Sequence, residues 1–104
     1  MKNELAGTWI ATSDVIKLLV VLPDGSCQVD GTLARWQALG DEVWLLDNKT
    51  RAGTKWKFAL EGDETLIFSS PEDFKYQGGG EYVYFQMIDP GTIINFERKK
   101  QGEP

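Results

Sequence analysis

Histidine is missing from all 104 residues and cysteine occurs once. Without histidine the chain has no imidazole base, no histidine-assisted nucleophile and no histidine metal ligand. With one thiol, neither an internal disulfide nor a thiolate zinc site is possible. That thiol, Cys27, lies in the alternating stretch SCQVD and reads as a small buried hydrophobe on a strand rather than a reactive group. Long apolar runs are also missing. The longest, Leu18 to Leu22, is far short of a bilayer span, and the first residues lack the charged-then-apolar pattern of a signal peptide. A cytoplasmic location and no membrane association are therefore expected, although a secreted chain whose leader had been removed would read the same way. The sequon Asn48-Lys49-Thr50 then carries no chemistry.

Positive charge is scarce too. The formal net charge is −5, against the broad positive field that general nucleic-acid binding requires. Basic residues gather only at Lys49, Arg51, Lys55 and Lys57 and at Arg98, Lys99 and Lys100, which read as a solvated hairpin and a tail. Gly78-Gly79-Gly80 follows a turn rather than a strand, so it is not a phosphate-cradling loop. Neither Asp47-Asn48-Lys49-Thr50 nor Pro23-Asp24-Gly25-Ser26 has the spaced acids of an EF-hand. Carboxylates are plentiful but sit mostly in turns, and no pair stands out for acid–base work. No catalytic residue, metal site or cofactor is expected.

What the chain does have is alternation. In TKWKFALE, Trp56, Phe58 and Leu60 face one way and Lys55, Lys57 and Ala59 the other. The same period predicts strands near 7–12, 16–22, 26–30, 32–39, 42–47, 54–61, 64–69, 81–88 and 92–99. They are separated by turns at Pro23-Asp24-Gly25, Gly40-Asp41, Gly62-Asp63 and Asp89-Pro90-Gly91. The one helical signal is a short turn capped by Ser70, with Pro71, Glu72 and Asp73 behind it. An internal repeat offset by 22 residues lays GTLARWQALGDEVWLL over GTKWKFALEGDETLIF, two successive strand–turn–strand units. Odd-length loops in both would pair Trp36 with Trp44 and collect Trp56, Phe58, Leu60, Leu66 and Phe68 on one face, which buries the most aromatic surface. The expectation is one all-β domain over 1–104, an antiparallel meander of eight or nine short strands closed into a small barrel, with an open β-sandwich as the alternative.

Gly7-Thr8-Trp9 on the first strand resembles the G-x-W opening of the lipocalins and related calycins. The likeness is nearest to small bacterial lipocalin-like domains, which begin L-x-G-x-W and run through Gly-Asp hairpins. It implies a calycin-type β-barrel in which the tryptophan closes one end and a basic residue of the last strand packs over its ring. Arg98 fits that role, alternating with Ile94 and Phe96. The second lipocalin motif is matched in GEYVYF only at Glu81, Tyr82 and Phe85, and the chain lacks the family's C-terminal helix and disulfide cysteines. No Asn-x-Leu-Gly follows Trp9, so the avidin ligand set is absent and biotin is not the expected ligand.

Two functions follow. The first is ligand binding: a small apolar molecule among Trp36, Trp44, Trp56, Phe58, Leu66 and Phe68, anchored by Tyr82 or Tyr84 under a Gly78–Gly80 lid. The competing account, which the short length favours, is that these aromatics fill the core. The second is a protein-interaction or homo-oligomer (homodimer) face formed by Leu33, Val43 and Leu45, with Val83 and Phe85 or Tyr82 and Tyr84. On that view Val43→Lys or Leu45→Lys gives a soluble monomer.

Overall fold

Alternation and turn chemistry produce nine strands in the computed structural model, which describes residues 2–99; Lys100 of the basic tail lies outside them. After a short 3-10 turn at Lys2–Leu5 come β1 (Gly7–Ile10), β2 (Leu18–Val21), β3 (Ser26–Val29), β4 (Thr32–Leu39) and β5 (Glu42–Leu46). They are followed by β6 (Ala52–Glu61), β7 (Thr65–Gly78), β8 (Glu81–Phe85) and β9 (Ile94–Arg98). Neighbours run β6-β5-β4-β3-β2-β1-β9-β7-β8, and β6 also pairs with β7. That extra pairing closes an eight-stranded antiparallel meander barrel and leaves β8 outside it. The open sandwich is excluded.

The two repeat hairpins differ in register. In the second, Glu61 faces Thr65 across a three-residue loop, so Phe58 meets Phe68 and Leu60 meets Leu66, the expected odd register. In the first, Leu39 faces Glu42 across the two-residue loop Gly40-Asp41, which pairs Trp36 with Leu45 and Gln37 with Trp44. The expected Trp36–Trp44 pair does not form. Gly40 adopts φ 62° at the loop position where tight hairpin turns need positive φ. The turned-out Trp44 is still half-buried, because it packs 5.1 Å from Phe74 and 5.6 Å from Tyr82. The same register carries Val43 and Leu45 into the core, 3% and 6% exposed. They form no outer interface, and a lysine at either position would unfold the barrel rather than dissociate a dimer.

No helical turn forms at Ser70. Lys55 pairs with Glu72 and Lys57 with Ser69, which leaves Ser70 and Pro71 together opposite Trp56. Ser70 sits at φ 50°. This is a β-bulge, a place where a strand tolerates a proline that has no N–H to give the ladder. The extra residue reverses side-chain parity along β7: Leu66 and Phe68 point inward before it, Asp73 points inward after it, and Phe74 and Tyr76 point outward.

Inside the barrel, Trp9, Leu19, Cys27, Trp56, Leu66, Phe68, Ile94 and Phe96 are fully buried. Phe68 stacks on Trp56 at 5.4 Å and meets Phe96 edge-on at 5.0 Å. Burial pushes the Cys27 thiol up to about 11. The native state therefore keeps that proton at pH values where the unfolded chain has lost it.

One end is sealed by a clasp. The Arg98 guanidinium lies 4.2 Å over the Trp9 ring and donates to the carbonyls of Asp63 (2.6 Å), Ala6 (2.7 Å) and Glu4 (2.9 Å). The Trp9 indole N–H donates to Leu5 O at 2.9 Å. Gly7, at φ 140°, is required here because a Cβ would run into Nη1 of Arg98. Arg98→Ala should cost about 2–4 kcal/mol in denaturant unfolding, since it strands several carbonyls and uncovers an indole. Gly7→Ala should cost about 1–3 kcal/mol by displacing the same guanidinium. The double variant should lose clearly less than the sum; strict additivity would mean that the two do not act together. Separately, stability should fall as pH rises from about 9 toward 11, the window in which only the unfolded Cys27 ionises, and Cys27→Ala should flatten that slope.

Candidate binding site at the barrel mouth

Opposite the clasp the barrel is open. The β1–β2 loop, the β5–β6 turn and the segment after β8 surround a cavity of about 280 Å³. Ile16, Val29, Leu45, Trp56 and Ile88 give it apolar walls, with Thr32, Asp47 and Thr54 among its polar lining residues. Trp56 is 0% exposed, and among the described residues its indole Nε1 has no hydrogen-bond partner. A buried donor left unmatched costs about 1–3 kcal/mol, so a group that accepts from it gains more than an ordinary surface contact.

Asp73 positions the far wall. It is the buried charged residue of the described chain, turned inward by the bulge. One carboxylate oxygen accepts the amides of Met87 (2.8 Å) and Ile88 (3.0 Å), and the other accepts the Thr54 hydroxyl at 3.1 Å. The Gln86 side-chain amide donates to Pro71 O and Ile88 O at 3.2 and 2.6 Å. These bonds hold Ile88 against the mouth.

The seven residues expected to form one site are divided between the barrel interior and its outer face. Trp56, Phe58 and Phe68 face the interior, where Phe68 is core and Trp56 reaches the cavity. Trp36, half-buried beside the β2–β3 turn, packs against the core as Phe58 does, and its indole N–H donates to Leu22 O at 2.8 Å. Trp44, Tyr82 and Tyr84 lie on the outer face. Gly78–Gly80 is the β7–β8 turn, with Gly78 paired to Glu81. It does not border the mouth cavity.

That outer face carries an aromatic cluster of its own. Tyr82 contacts Trp44, Phe74 (5.5 Å), Tyr76 (5.1 Å) and Tyr84 (6.4 Å). Trp44 and Phe74 come from strands separated by β6 and meet because Gly53 lies between them. A Cβ there would strike the Leu45 carbonyl and press to 2.9 Å from the Phe74 ring. Lys55 covers the cluster, 5.1 Å over Trp44 and 5.8 Å over Tyr84, with Nζ 3.0 Å from Glu72 and 3.7 Å from Glu42. Its hydrogen bond to Glu72, together with the Glu42 charge, holds its ammonium above the ordinary lysine range. Beside the cluster runs a groove of about 500 Å³ whose lining includes Arg35, Trp36, Trp44, Phe74 and Tyr82, so three of the seven expected residues, Trp36, Trp44 and Tyr82, do share a surface here.

Among the described residues no three His, Cys, Asp or Glu side chains converge as metal ligands. Comparison with protein-family models, curated proteins and solved structures finds no match for this chain. Asp73→Ala should abolish the hydrogen-exchange protection of the Met87 and Ile88 amides and lower global stability by about 2–4 kcal/mol. Retained protection of those two amides would show that the carboxylate does not hold the segment.

Proposed function

We propose that this protein is a non-catalytic binding domain whose open end takes a small apolar molecule bearing a hydrogen-bond acceptor. The observation that carries the reading is the buried, unpartnered indole N–H of Trp56 on a residue that walls the cavity. Apolar walls supply most of the affinity of such a site, and a single polar group fixes orientation. The depth of the barrel is filled by side chains, so the ligand belongs at the mouth rather than in the centre. A volume of about 280 Å³ suits a molecule of one or two rings. The clasp of Gly7, Trp9 and Arg98 supports a lipocalin-like reading of the barrel, consistent with ligand entry at the opposite end.

The test uses two near-isosteric probes. Acetophenone has a carbonyl to accept from Trp56, and ethylbenzene does not. Acetophenone should bind about fivefold more tightly, the worth of one hydrogen bond of about 1 kcal/mol, and should shift one of the four tryptophan indole N–H resonances. In Trp56→Phe the two should bind alike. If neither probe perturbs the Trp56 resonance at saturating concentration, the mouth is not a ligand site.

A further inference from the structure

The last strand of the sheet order is β8, which pairs with β7 and leaves its second edge without a strand. Exposed edges are usually blunted by proline, by lysine or by a bulge. Here the one irregularity of the ladder lies on β7, between Tyr76 and Gly78; from Tyr82 opposite Tyr76 to Phe85 opposite Asp73 the pairing is regular, and the strand reads Glu-Tyr-Val-Tyr-Phe, with one charge at its start. All five side chains are exposed, Val83 at 50%, and Met87 just beyond is 80% exposed. The occupant of such an edge must be an extended strand, because only another backbone supplies donors and acceptors at the ladder spacing.

We propose that this strand comes from a second copy of the chain, with two β8 edges pairing antiparallel about Val83. Parity selects the register. Tyr82 and Tyr84 lie on the outer face with Tyr76 and Phe74, so they must oppose outward-facing residues of the second copy if the sheet is to continue. The register that uses the whole strand sets Val83 opposite Val83, Tyr82 opposite Tyr84, and Glu81 opposite Phe85. Every pair is β-branched, aromatic or free of like charge, the composition that favours cross-strand contact. The two Glu81 side chains fall at opposite ends of the pairing, about 13 Å apart along the strands. For a chain of net charge −5, this edge is among the places where two copies can meet without opposing acids. The outer cluster of Trp44, Phe74 and Tyr82 would then run on through Tyr84 of the second copy. The contact is self-complementary, as a two-fold dimer requires.

Sedimentation equilibrium on the full chain tests this independently of the mouth site. Wild type should be dimeric. Val83→Lys and Val83→Glu should each weaken dimerisation by about a hundredfold or more, because like charges meet on the two-fold axis. Both should keep the native circular dichroism spectrum and a cooperative thermal transition, since Val83 is half-exposed in the single chain, and that transition should no longer depend on protein concentration. An equimolar mixture of the two variants should recover the dimer, a result specific to residue 83 facing itself. A wild type that stays monomeric, variants that remain dimeric, or a mixture that stays monomeric would each overturn the proposal. So would β8 amides that gain protection only on adding a foreign extended peptide, which would assign the edge to another partner.

Discussion

At Ser70 the backbone of β7 takes a φ of 50°, and Ser70 and Pro71 together oppose the single Trp56 on β6. Strands alternate with period two, so one inserted residue exchanges the two faces for everything that follows. The first part of β7 sends Leu66 and Phe68 into the core, between β6 and β9. The second part sends Asp73 inward, where it fixes the segment at the mouth, and Phe74 outward, where it founds the external cluster. Past the bulge β7 exchanges β9 for β8 as its neighbour. The mouth geometry and the external hairpin both depend on that insertion.

Aromatic surface is thereby split between two environments. The interior receives Trp9, Trp56, Phe68 and Phe96, enough to fill a narrow barrel. The outside keeps Trp44, Phe74, Tyr76, Tyr82 and Tyr84. Phe74 is 1% exposed although it faces outward, because neighbouring rings cover it across the side chain that Gly53 lacks. At ~25 cal/mol per Å², covering a phenyl ring this way is worth as much as placing it in the core. The external cluster is therefore structural as well as exposed, and it stiffens the strand that carries the free edge.

Much of this was legible in the sequence. Nine alternating segments gave nine strands, and the clasp between Trp9 and Arg98 followed from a motif and a basic residue on the last strand. The second hairpin register followed from its aromatics. The first did not, because the burial argument treated a tryptophan outside the barrel as lost to water, whereas Phe74 and Tyr82 cover Trp44 there. Ser70 and Pro71 were read locally, as a cap and a first helical residue. The signal for a bulge was the proline inside a run otherwise rich in strand formers. Without the parity reversal, Phe74 is assigned inward by its even spacing from Phe68, and the external cluster disappears from view. The mouth was harder still: Ile16, Asp73 and Ile88 are brought to Trp56 only by closure, across separations that no local pattern encodes.

Arg98 donates to the carbonyls of Glu4 and Ala6, partners 94 and 92 residues away in the chain. The strands from β2 to β7 are joined to their sequence neighbours by short turns, and those contacts form at little cost in loop entropy. The strand β9 must instead fit between β1 and β7. Topology thus separates folding into a rapid zipping of hairpins and a slower search for the seam, the step that contact order penalises most. An incomplete seam leaves β1 and β7 as open edges. The residues that plug the finished barrel are, during folding, the latch that takes those edges out of circulation.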